Sequence, residues 1–325
     1  MKGLHAYIHR LRLRRIAQVG LLWGLGLLLT TCSLEDDRDI CCRQVVIKYS
    51  YQPYGQDVLE DYITTLRHYL FDAEGHFIAE IPSGSNLRYQ PLSLDKGRYT
   101  LISLGNASEH TVCTSVNGQG LQDFLLQVNQ PFEGRNDLLD NGDELYWGVQ
   151  TFTVDPAQPT RALGDYLVET ALNNIHCHLT LDIVWHNLPP HVGDYTLELK
   201  NVASSYWLNP DQVDTLDGFI VPVLADAQAV HRLRVPLQAQ TLHGEFITLR
   251  YADDQLPVLK IWFGDEAITG DIDLSQAFRQ WGWSPSKTHV QKYALQLEVF
   301  GNGNVAVAPQ MDASVEDWIQ GGTFQ

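Results

Sequence analysis

From Val45 to Ala308 the chain is a series of short segments rich in β-branched and aromatic residues, separated by Gly, Pro, Asp and Asn, and this pattern restricts it to sheets. The first half carries such segments at Val45–Tyr51, Tyr62–Phe71, His76–Ile81, Tyr99–Leu104 and Gly148–Val154. The second half repeats them at Ile175–His186, Tyr195–Val202, Val230–Leu237, Glu245–Tyr251, Val258–Phe263, Tyr293–Phe300 and Val305–Ala308. In Leu179, Leu181, Ile183 and Trp185 the apolar side chains fall on every second residue, so one face of that strand is greasy. Each such sheet must bury a face against another, which predicts an all-β chain of sandwiches. Asp72-Ala73-Glu74-Gly75 predicts a hairpin turn, and the best helix runs over Leu274–Trp281, capped by Asp273 and closed by Gly282.

The first thirty-one residues follow a different rule. Met1–Arg15 holds five Lys or Arg and no acid, and Ile16–Thr31 contains an uncharged core, Val19–Leu29, of eleven residues. A bilayer needs ~20 apolar residues, so residues 1–31 read as a cleavable signal peptide rather than a span. Leu29-Thr30-Thr31-Cys32 resembles the bacterial lipobox, with Thr31 where Gly, Ala or Ser is usual, and implies a lipid on Cys32. Residues 32–43 then form an acidic tether, with Glu35, Asp36, Asp37 and Asp39 in a run that cannot pack. A similar run beside the lipidated Cys resembles a surface-export signal of Bacteroidetes-type lipoproteins.

Loss of the leader leaves 17 basic and 39 acidic side chains, so the formal charge falls from −17 to −22. Such a surface repels phosphate backbones and anionic headgroups, so no nucleic-acid partner is expected and the membrane is reached through the N-terminal lipid alone. About 294 remaining residues exceed one core, which predicts two domains, 44–158 and 159–325, joined at Asp155-Pro156-Ala157-Gln158-Pro159-Thr160-Arg161. In an oxidising compartment Cys41 or Cys42 is expected to staple the N-terminal segment to Cys113, although spacing does not fix the pairing, while Cys177 sits in an apolar strand as a small buried hydrophobe.

Signs of catalysis are sparse. His176 and His178 share a strand face, with His186 further along, a pattern that suits zinc; with no carboxylate at the matching neighbours, the stretch reads as a structural strand and no metal is expected. Asn136–Glu144 clusters acids around Gly142 without the alternating ligands of a calcium loop and reads as a solvated loop. No Gly-x-Ser-x-Gly is present, and the one Gly-x-Gly run, at Gly24 and Gly26, lies in the leader. No enzyme, catalytic residue, cofactor or small-molecule substrate is expected.

Several motifs in order resemble the FimB-type fimbrial anchoring subunits of Bacteroidales. They are Cys32 with its acidic run to Cys41, Tyr69–Phe77, Leu94–Thr100 running to Gly105-Asn106, Glu144–Gly148, and the long strand ending at Trp185. The resemblance implies two transthyretin-like Greek-key β-sandwiches in tandem, attachment to the cell outer membrane, and a fimbrial stalk subunit as partner. Assembly of this kind resembles β-augmentation, and apolar alternation near the C-terminus nominates Val305, Val307, Trp318 and Ile319 as partner-binding residues. A second reading is a surface glycan-binding lipoprotein with Trp281, Trp283, Tyr206 and Trp207 as sugar platforms; a third is a stalk or tip subunit. Asp214-Thr215-Leu216, in an expected loop, resembles an O-glycosylation acceptor.

Overall fold

The computed structural model describes residues 43–118, 120–155, 166–216, 218–226 and 228–310, which form five sheets. The first sheet sets β1 (Arg43–Ser50) between β11 (Tyr166–Ala171) and β4 (Tyr89–Leu94). The second runs β12 (Asn173–Asn174), β10 (Tyr146–Val154), β5 (Gly97–Gly105), β2 (Leu66–Phe71) and β3 (Phe77–Pro82). The third runs β16 (Val213–Leu216), β17 (Phe219–Asp226), β15 (Ser205–Trp207), β7 (Phe124–Val128) and β6 (Thr111–Ser115). The fourth runs β21 (Glu266–Ala267), β20 (Val258–Phe263), β14 (Asp194–Val202), β18 (Ala229–Pro236), β9 (Arg135–Leu139) and β8 (Pro131–Phe132), with β22 (Ile272–Asp273) also on β20. The fifth runs β19 (Thr241–Leu249), β13 (His176–Trp185), β23 (Gln291–Val299) and β24 (Val305–Pro309).

The two-residue period of a strand decides how these sheets stack. On β2, Leu66 and Leu70 pack with β1 residues Val45, Ile47 and Tyr49, whereas Tyr69 and Phe71 pack with Phe124 and Leu126 of β7. On β10, Tyr146 and Phe152 face the first side and Trp147 the second. The second sheet is therefore the middle of three layers, with a core on each face. The fourth and fifth sheets enclose another core, in which Leu179, Leu181 and Ile183 of β13 meet Tyr195, Leu197 and Leu199 of β14, as the alternation predicted.

Strands from either side of residue 158 share four of the five sheets. β11 runs parallel to β1, with Val45 opposite Tyr166. β15 joins β7, with Tyr206 opposite Leu126. β9 adds to β18 through Leu139 and His231. The expected connector at 156–161 lies outside the described residues.

Several local expectations change. The strand expected from Tyr62 begins at Leu66, because a short helix α1 (Leu59–Tyr62) precedes it and the Asn106 side chain accepts from the Thr64 amide at 2.8 Å and donates to the Tyr62 carbonyl at 2.8 Å. Helix α2 spans Ser275–Trp281; Leu274 precedes it with helical dihedrals, so Asp273 instead accepts from the Ser275 amide at 2.8 Å. Gly282 closes it at φ +68°, and the hairpin turn forms around Asp72, whose Oδ1 accepts from the His76 amide at 2.8 Å. Asp214-Thr215-Leu216 lies on strand β16, not in a loop. Residues 136–139 of the expected solvated loop belong to β9, and Asp143 accepts from Ser108 N, Ser108 Oγ and Thr111 Oγ1.

β1 runs from Arg43 toward Ser50, where Leu172 bonds the Ser50 carbonyl and the chain passes through β12 into β13. β13 then runs away from that junction to the loop at 186–193. The loops at 186–193, 237–240 and 300–304 gather at that far end of the fourth and fifth sheets.

Candidate functional site

β24 is an edge of the fifth sheet, with one ladder neighbour among the described residues. Its register sets Val305 opposite Val299 and Val307 opposite Leu297; both valines are half-buried against the core, while Ala306 and Ala308 face outward. The Gln310 amide donates to the Ala294 carbonyl at 3.0 Å and its side chain to Asp182 at 2.5 Å, which pins the strand's end. The outer edge carries the backbone donors and acceptors on which another strand can pair. Trp318 and Ile319 lie outside the described residues, as do Cys32, Cys41 and Cys42. Neither Cys113 nor Cys177 is in a disulfide; burial pushes the Cys113 thiol up to about 12, and Cys177 is fully buried on β13.

Among the described residues the most exposed large apolar side chains, Leu188 at 79% and Val192 at 91%, both stand in the loop at 186–193. His186 stacks on Phe300 at 4.3 Å and holds Glu298 at 2.8 Å; His191 stacks on Phe263 at 4.4 Å and holds Glu266 at 3.0 Å. Leu188-Pro189-Pro190-His191-Val192, an apolar run that its prolines keep out of a strand, was the signal available in the sequence.

His176 and His178 do come together, at a ring separation of 5.1 Å, but His186 is at the other end of β13. Carboxylates that the sequence hid arrive from elsewhere. Glu245, from neighbouring β19, accepts from His178 Nδ1 at 2.7 Å, and Glu144, just before β10, stands 3.4 Å from His178 Nε2. Glu144, His176 and His178 each offer a ligand atom within 4.8 Å of the others. His176 is buried, its Nδ1 lies 2.9 Å from the Leu145 carbonyl, and burial lowers its pKa from 6.5 to about 3, so the ring is neutral. Asp72, Glu74 and His76 form a second such group on the exposed hairpin, where Asp72 is engaged in the turn.

Of the expected sugar platforms, Trp207, Trp281 and Trp283 are half-buried. Tyr206 is buried, its hydroxyl donating to the Ile175 carbonyl at 3.3 Å. Trp281 and Trp283 meet edge-on at 5.0 Å, and Trp283 also packs on Phe278 and Tyr293. Among the described residues no helix is long and apolar enough to cross a membrane.

The family described as fimbrillin-A associated anchor proteins Mfa1 and Mfa2 matches residues 39–320. No curated protein matches. Among solved structures, the chain is similar to a protein of Bacteroides thetaiotaomicron described as polysaccharide-binding, with TM-score 0.61 and 13% identity over 83% of this chain and 99% of that one. It is also similar to an adhesin-described protein of Bacteroides ovatus, with TM-score 0.61 and 11% identity over 84% and 94%. The fimbrial anchor protein Mfa2 of Porphyromonas gingivalis matches with TM-score 0.56 and 14% identity over 82% and 96%. At these identities the likeness is one of fold.

Proposed function

We propose, from the premise that this chain belongs to the family of fimbrillin-A associated anchor proteins, that it attaches fimbriae to the cell surface as a lipid-anchored subunit of the outer membrane. The family match over residues 39–320 carries this reading, since it spans nearly everything after the leader. A lipid on Cys32 and an acidic tether would lead directly into Arg43 at the start of β1. The charge of −22 after loss of the leader gives no electrostatic hold on anionic lipid, so attachment depends on the acyl chains.

The partner in this reading is a fimbrial stalk subunit, taken up on the edge of β24 through backbone pairing, with Val305 and Val307 fixing the strand's register from beneath. Growing the wild type and Cys32→Ala with labelled palmitate tests the anchor. The expected result is label on the wild type only, with fimbriae shed into the medium by the variant. An unlabelled wild type, or fimbriae held equally well by the variant, would overturn it.

A further inference from the structure

We propose that Glu144, His176 and His178 form a structural zinc site that clasps the approach to β10 against the start of β13. Along the strand two imidazoles share a face with no acid beside them; the fold supplies the third ligand from 32 residues upstream of His176.

The second neighbours of the ligands favour a metal. A zinc-bound imidazole usually gives its remaining N–H to a carboxylate or a backbone carbonyl, which fixes the tautomer. His178 Nδ1 is committed to Glu245 at 2.7 Å, and His176 Nδ1 to the Leu145 carbonyl at 2.9 Å. Both rings therefore keep their protons on Nδ1 and present an Nε2 lone pair. His178 Nε2 faces Glu144 Oε1 at 3.4 Å, too long for a good hydrogen bond. It is the spacing two ligands take on one tetrahedral zinc: bonds of ~2.0–2.1 Å set them ~3.3–3.4 Å apart.

Asn174 Nδ2 stands 3.0 Å from His176 Nδ1 and 3.1 Å from Nε2, and an ion on Nε2 would displace it. A ring nitrogen of each histidine and a carboxylate oxygen of Glu144 lie within 4.8 Å of one another, and Glu144 is half-exposed, so side-chain rotations close the set. Two imidazoles and a carboxylate suit zinc better than calcium or magnesium, which prefer oxygen.

Titrating the full-length protein, stripped with chelator, with zinc chloride in a calorimeter is the test, with thermal unfolding followed in parallel. The expected result is one zinc per chain and a raised melting temperature. Affinity should drop at least tenfold in His178→Ala and in Glu144→Gln, both partly exposed positions that leave the metal-free fold intact, and stay unchanged in His186→Ala. Absence of binding, or binding undiminished in His178→Ala and Glu144→Gln, would overturn the proposal.

Discussion

Arg250 Nη1 stands 3.3 Å from both the backbone carbonyl and the side-chain oxygen of Asn174, and this buried pair ties β19 to β12. The same guanidinium donates to the carbonyls of Pro285, Thr288 and His289 and lies over the Phe219 ring at 5.2 Å. A buried cation is held here by carbonyl dipoles and a π face. Its removal leaves several buried acceptors without donors.

Arg250→Ala is therefore expected to cost about 3 kcal/mol or more, since each hydrogen bond to a charged group contributes ~1.5–3 kcal/mol. Urea unfolding monitored by Trp fluorescence measures it; a loss under about 1 kcal/mol would contradict the role given to the carbonyl cage.

Acid should weaken the fold before carboxylates titrate. Burial lowers the pKa of His68 and of His231 from 6.5 to about 4, and each ring has an Nε2 with no partner among the described residues. The unfolded chain takes up these protons near 6.5, so their contribution is fully present above that value and is lost as the pH falls toward 4. Each group is worth on the order of 3 kcal/mol across that window. Denaturation midpoints should drop between neutral pH and about 5, and His231→Gln should flatten the slope; a midpoint indifferent to pH would refute this.

Residues 44–158 should not fold alone. The core between the second and third sheets takes Ile175, Tyr206, Phe219, Val221 and Leu249 from beyond that limit, and β1 loses its parallel neighbour β11. A fragment ending at residue 158 is expected to lack a cooperative unfolding transition in calorimetry, whereas residues 44–310 keep one.

Cys113 should remain a thiol. It packs on the core between the second and third sheets, while Arg43 starts β1 in the first sheet, on the opposite face of the second. Two sheet spacings amount to ~20 Å. A disulfide joins Cα atoms within ~7 Å, and one residue before Arg43 adds ~3.8 Å of reach. Peptide mapping under non-reducing conditions should find Cys113 linked to neither Cys41 nor Cys42; a Cys42–Cys113 peptide would show that the layers part.

Much of the local structure was legible. Alternation along Leu179–Trp185 marked one buried face, Gly282 marked the end of α2, and Asp72 with Gly75 marked a hairpin, because each depends on dihedral preference or on a period confined to a few neighbours. The resemblance carried by short motifs anticipated the family for the same reason.

What the sequence by itself determined is thus the strongly alternating strands such as β13, the turns at Asp72 and Gly282 and the sign of the surface charge, whereas short strands such as β9 and β16 carry no alternation to mark them. Tertiary structure alone decided that β15 to β17 cross over to β7, that β11 lies parallel to β1, and that Glu144 and Glu245 meet His178. Pairing between distant strands is chosen by which buried faces fit when all sheets stack together, and no stretch of chain holds that information by itself.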